Sequence, residues 1–381
     1  MSVYRQILEN ERSWIENVYG KLEEKLSRLA VKSRNKIPYT TYDGEHDDRP
    51  SKNGDYQWWT NGFWGGLMWL MYAETKGERY KITAEISEKR LDKAFENIEL
   101  MNHDTGFLWH ILSGASYRLT GNADSKNRNI LAAMVLASRY NPDGEYFRCW
   151  NGAERGGWTI IDSMMNLSQL YWTSEELGDS RFKKIAMRQA DMTMRDHVRA
   201  DGSVNHIVVH DTEKSDSVLE TLGGQGYGVG SCWSRGAGWA LYGFMISYLH
   251  TNEKRYLATA KKVADYVLEN LPKSGWLPLL DFCQPTKPVY YDSTAGAIIA
   301  CGLIELAKVS AESEQETYLT AAIKLLKTME ENWCDWTETQ DGILLMGSEK
   351  YTHGIHMNII YGDYFFTEAV LKLKGNSFMP W

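Results

Sequence analysis

Proline is scarce in this chain, at 8 of 381 residues, and no Ser/Gly-rich or single-sign charged tract interrupts it. Linkers normally carry such marks, so residues 1–381 are expected to form one domain, long for a single unit but within reach of barrels and toroids. Cysteine is nearly as sparse. Cys149, Cys232, Cys283, Cys301 and Cys334 are scattered, odd in number and form no C-x-x-C. That argues against a disulfide scaffold or a zinc knuckle and points to a reducing cytoplasm. No apolar run approaches the about 20 residues that span a bilayer. The opening MSVYRQILENERSWIENVYG carries charges throughout and has no apolar signal segment. Net charge is −8 without a basic patch, so neither nucleic acid nor a membrane is an expected partner.

What the chain has in plenty is aromatic surface, with 15 Trp and 22 Tyr. A large aromatic core would use them. So would a carbohydrate site, because sugar rings have apolar faces that stack on indoles while their hydroxyls need a polar rim.

A loose repeat organises the sequence. Six segments share a polar or glycine-rich lead, a helix dense in apolar and small residues, and a polar turn. They begin at Thr60, His103, Ile160, Ser234, Asp292 and Tyr361. Each is apolar nearly all round, the mark of a helix buried on most sides. Between them lie helices with one apolar stripe and a charged face. In residues 257–271, for example, Leu257, Ala260, Val263, Ala264, Val267 and Leu268 fall at helical spacing with lysines opposite. An N-terminal helix over roughly 3–30 supplies one more outer partner. The alternation predicts an all-α fold, an (α/α)6 barrel of inner and outer helices. Strands are expected to be minor, with one pair near 203–211.

In such a barrel the starts of the inner helices gather at one end. Asn61, Asp104, Asp162, Arg235, Asp292 and Asp363 therefore converge. Asp162 stands alone in the apolar GGWTIIDSMMNLSQLYW. A first-turn aspartate is favourable in itself, against free N–H groups and the helix dipole. Asn166 and Gln169, at i+4 and i+7, extend a polar stripe that is expected to face the lumen. Asp104, in NHDTGF, opens the preceding inner helix and should sit beside Asp162. Two close carboxylates do not both ionise readily. Repulsion and burial are expected to outweigh the dipole and raise Asp162, making it a general acid. Arg235, in WSRGAGW, is suited to a two-pronged grip on a substrate carboxylate. His206 and His210 have i,i+4 spacing, but the β-branched run between them predicts extended chain and no metal site. GGQGYGVGS, 223–231, lacks G-x-G-x-x-G spacing, and no G-x-x-x-x-G-K, H-E-x-x-H or G-x-S-x-G is present. No cofactor is expected.

Six blocks, WWTNGFWGGLMWL, NHDTGFLW, IIDSMMNL, GQGYGVGSCWSRGAGWALYGF, DSTAGAIIACGL and YGDYFFTEAVLKL, together resemble glycoside hydrolase family 88, the unsaturated glucuronyl hydrolases. The resemblance runs from about Trp58 to Leu373, in order. It implies an (α/α)6 barrel and removal of a 4,5-unsaturated uronic acid from the non-reducing end of lyase-generated oligosaccharides. It implies Asp162 as general acid/base, Asp104 as its partner, and substrate roles for Trp59, Trp150, His206, Gln225, Arg235 and Trp239. One departure stands out. Arg235-Gly236-Ala237-Gly238-Trp239 replaces the usual Arg-Gly-Gln-Ala-Trp and is closer to the related family 105, the unsaturated rhamnogalacturonyl hydrolases. That activity, and a non-catalytic sugar-binding barrel, remain alternatives.

Overall fold

Alternation of two helix types decides the architecture. The computed structural model describes residues 2–214 and 216–381. The six apolar segments become inner helices: Phe63–Thr75, Gly106–Gly114 continued by Ala115–Thr120, Ser163–Leu177, Ser234–Thr251, Ser293–Val309 and Ile360–Lys374. The striped segments become outer helices: Val3–Lys32, Glu78–Leu91, Ala123–Ser138, Ser180–Asp196, Lys254–Asn270 and Glu312–Trp333. Each inner helix packs against the next, and Ile360–Lys374 returns to Phe63–Thr75, closing an (α/α)6 barrel. The outer helices bury a single stripe. In Lys254–Asn270 it is Tyr256, Thr259, Ala260, Val263, Ala264 and Val267, one side of a 3.6-residue helix. No helix among the described residues is long and apolar enough to cross a membrane.

One inner helix departs from regular α geometry. Gly106–Gly114 is a π-helix, a form that widens the turn and recurs at functional sites. It lies hard against Ser163–Leu177: a Cβ on Gly106 would stand 2.8 Å from the Asn166 Cα. The polar stripe of Ser163–Leu177 serves this junction. Asn166 Oδ1 accepts from the Phe107 N–H at 2.9 Å, and Gln169 Oε1 accepts from Thr105 Oγ1 at 2.8 Å. The stripe therefore faces the neighbouring helix, not the lumen, because the Phe107 N–H, in the first turn of that helix, has no partner within it, and the Thr105 hydroxyl is buried beside it.

Strands are few. Trp158–Ile160, Ile207–His210 and Val218–Leu222 form an antiparallel sheet beside the helix starts. The far end of the barrel is filled by the tail. Trp381 stacks on Phe365 at 5.7 Å and meets Phe107 edge-on at 5.9 Å. Its indole N–H donates to Glu368 at 3.0 Å, and Arg118 holds the carbonyls of Met379 and Pro380.

Candidate active site

Loops leading into the inner helices surround a cleft. Its outer part, about 370 Å³, is walled by Trp58, Trp59, Trp150 and Trp158, with Lys350 and His353 at the rim. Its inner part, about 230 Å³, shares Trp58, Trp59, Trp150 and Gln225 and ends on His103, Asp104 and Asp162.

Asp162 occupies the N-cap position of Ser163–Leu177, yet its side chain caps nothing. Asp292, at the start of Ser293–Val309, does cap, accepting from the Thr294 N–H at 3.1 Å. The Asp162 carboxylate instead faces His206, with Oδ2 3.6 Å from Nε2. That is ion-pair range but longer than a hydrogen bond, and both atoms are buried without another partner. The Gln225 N–H donates to His206 Nδ1 at 2.9 Å. Nδ1 is therefore the acceptor, and the ring proton sits on Nε2, aimed at Asp162. Gly224 makes this contact feasible. Its φ is +59°, and a Cβ there would lie 2.1 Å from His206 Nδ1.

The two carboxyls are shifted in opposite directions. Burial, and then the charge of Asp162, push Asp104 well above the ordinary carboxylate range. Burial also pushes Asp162 up, but His206 first, then His103 and Arg235, outweigh it and hold Asp162 below its usual value. The expectation that Asp162 is the raised member of the pair is therefore reversed. The reason is the imidazole N–H that the 223–231 loop fixes against it. His103, pushed down to about 3 by burial, is neutral; it lies 3.1 Å from Ser163 Oγ and 3.4 Å from Asp104.

Arg235 lines the outer cleft but is nearly enclosed. One prong of its guanidinium bonds Asp292 and the Ser348 carbonyl; the other bonds the Glu349 carbonyl at 2.7 Å and reaches Gln225 at 3.5 Å. Burial works against its charge, but Asp292, then Tyr361, Asp162 and Tyr39, together outweigh it and hold the guanidinium above its usual value. The two-pronged grip expected on substrate is thus engaged by the protein itself. What Arg235 offers the cleft is positive potential and a fixed 348–349 backbone.

Residues 30–368 match the sequence pattern of Glycosyl Hydrolase Family 88. The chain belongs to this family. It is 33% identical over 331 residues to the unsaturated glucuronyl hydrolase of Bacillus sp. strain GL1, covering 83% of this chain and 86% of the relative. The crystal structure of unsaturated glucuronyl hydrolase from Bacillus sp. GL1 superposes with a TM-score of 0.87 at 30% identity, covering 95% and 97% of the two chains. A variant of the Streptococcus agalactiae enzyme, solved in complex with dGlcA-GalNAc6S, superposes with a TM-score of 0.80 at 25% identity, covering 96% and 93%. The protein is a glycoside hydrolase.

Within this family 88 barrel, Trp59, Trp150, His206, Gln225 and Arg235 meet around the cleft that ends on Asp104 and Asp162. Trp239 does not. It is fully buried below the cleft against Phe107, 5.2 Å away, and Phe365, 5.5 Å away. Its position one turn into Ser234–Thr251 carries it past the rim into the core. The Ala237-Gly238 departure lies there too, with Gly238 against Ile298 and Ile299 of the next inner helix. Asn61 and Asp363 hold backbone, Asn61 that of Asp55 and Tyr56, Asp363 that of Ile343 and Leu344. His210 turns away from His206 to Asp196 at 2.9 Å and stacks on Tyr146. Sequence reasoning missed His103, Tyr39, Trp158, Lys350, His353 and Tyr361. Of these, His103 was readable, as the residue next to a nominated acid in NHDTGF.

Proposed function

We propose that the protein removes a 4,5-unsaturated uronic acid from the non-reducing end of lyase-generated oligosaccharides by hydrating its C4=C5 enol ether. One observation carries this reading. Two buried carboxyls, Asp104 with its proton affinity raised and Asp162 with its own lowered, close the inner end of a tryptophan-walled cleft, and Asp162 is not used as a helix cap. The relative complexed with dGlcA-GalNAc6S supports the substrate class.

The higher proton affinity of Asp104 makes it the resting place of the proton in the free enzyme. An anionic sugar arriving beside His206 and Arg235 adds negative charge and draws that proton onto Asp162. Asp162 then protonates C4. Positive charge develops at C5 and the ring oxygen, a state favoured by a dry, preorganised site. Water adds its oxygen to C5 and returns its proton to Asp162. The C5 hemiketal opens, and the hemiacetal left at C1 expels the aglycone as an alcohol. The aglycone is never displaced at C1 by water, so carboxylate spacing does not dictate stereochemistry here. The whole chain acts as one catalytic unit, and its five free thiols fit a reducing cytoplasm.

Unsaturated disaccharides from lyase digests of chondroitin, hyaluronan and heparin test the reading. Turnover should abolish the conjugated-alkene absorbance and, in heavy water, place one deuterium at C4 of the keto sugar. Cleavage of a saturated glucuronide at a comparable rate, or product without deuterium at C4, overturns it.

A further inference from the structure

The glycine-rich segment 223–231 does more than fix His206. Its next residues turn outward and carry Tyr227, 49% exposed, beyond the rim of the cleft. An exposed aromatic ring on a loop is ordinarily free to move, but this loop is anchored. The Asp281 carboxylate, fully buried, accepts from the N–H groups of Tyr227 at 2.9 Å, Cys232 at 3.2 Å and Cys283 at 2.8 Å, and from Ser231 Oγ at 2.7 Å. Tyr227 meets Tyr351 edge-on at 5.0 Å, and Tyr351 meets Tyr290 edge-on at 5.1 Å. The Tyr351 N–H donates to the Gln225 carbonyl at 2.9 Å, tying the ledge to a residue that lines both parts of the cleft. Three tyrosines on three separate loops thus form one rigid surface, continuous with the cleft.

We propose that Tyr227, Tyr351 and Tyr290 form a further glycan-binding subsite, which takes a sugar residue of the oligosaccharide chain beyond the disaccharide unit held in the cleft. The inference rests on the function proposed above. The terminal sugar must reach the acids at the inner end, so the rest of the chain leaves past Lys350 and His353, where the ledge begins. Tyrosine suits such a contact, because its ring presents an apolar face to a pyranose. Preformed rings also bind without an ordering cost.

The test uses unsaturated di- and tetrasaccharides from the digest on which the wild-type enzyme is most active. Wild type should show a kcat/KM for the tetrasaccharide about three- to tenfold above that for the disaccharide, the scale of one aromatic stacking contact. Tyr227→Ala should remove that advantage through KM while leaving disaccharide turnover unchanged, and Tyr227→Phe should keep it. Equal values for both substrates in wild type, or a preference that survives in Tyr227→Ala, overturn the subsite and leave the functional reading intact. Failure of wild type to consume any unsaturated disaccharide overturns the functional reading and the subsite together.

Discussion

Asp162 and Asp292 both open inner helices, yet only Asp292 spends its carboxylate on its own helix. A capping aspartate replaced by asparagine keeps an acceptor and loses little. Asp162→Asn should likewise keep the fold and substrate KM, but lower turnover at least about 10²-fold, the usual scale for a general acid. Loss of alkene absorbance measures it, and near-normal turnover would remove Asp162 from the chemistry. Asp104 makes a different prediction. Asp104 holds a proton because burial, and then the charge of the second carboxylate, raise its proton affinity. Asp104→Asn leaves Asp162 alone with His206, so the acid form persists only to lower pH. The basic limb of the kcat profile should move down. Asp162 was legible in sequence because a lone carboxylate in an apolar run is rare, and Asp104 because, in NHDTGF, it opens the preceding inner helix. Which of them has the raised proton affinity was not, because that depends on an imidazole delivered from a loop more than forty residues away. Trp59 and Trp239 show the same limit. Both stand in tryptophan- and glycine-rich motifs at inner-helix starts, and only the fold separates a cleft wall from a core residue.

At the scale of elements, the loop 223–231 and the π-helix Gly106–Gly114 set the positions of the two acids. Gly224→Ala introduces a Cβ into the His206 ring and a side chain at positive φ. The loop must withdraw, and with it the Gln225 N–H that fixes the imidazole. Asp162 then loses the imidazole that opposes burial, burial prevails, and its proton affinity rises. Activity should fall while the basic limb moves to higher pH, opposite to Asp104→Asn. The same profile measurement distinguishes them. The inner helices were legible from their apolar density, and the outer ones from their stripes. The π turn was not, because a helix apolar on every side has no phase from which an extra residue can be read. The cleft walls Tyr39 and Lys350 lie outside the helices, on segments without periodicity.

For the molecule as a whole, ring closure depends on the return of Ile360–Lys374 to Phe63–Thr75, and the tail reinforces both. From the cleft wall inward, Trp59 packs on Phe107 at 5.4 Å and Phe107 on Trp381 at 5.9 Å. Trp381→Ala should cost about 3–5 kcal/mol, the range for removing a large buried aromatic, read as a lower midpoint in chemical denaturation. A loss below about 1 kcal/mol would mean the rings above it close without it.

That column of rings makes the cleft a blind well with one mouth. Whatever lies against the acids went in first and must come out last. After cleavage the aglycone stands between the freed keto sugar and solvent, so it departs first. The keto sugar, leaving an otherwise empty enzyme, should therefore compete directly with substrate. The aglycone can rebind only while the keto sugar is still inside, and should inhibit noncompetitively. Product-inhibition kinetics with each purified product decides the point: competitive inhibition by both would mean that the two leave independently, by separate routes.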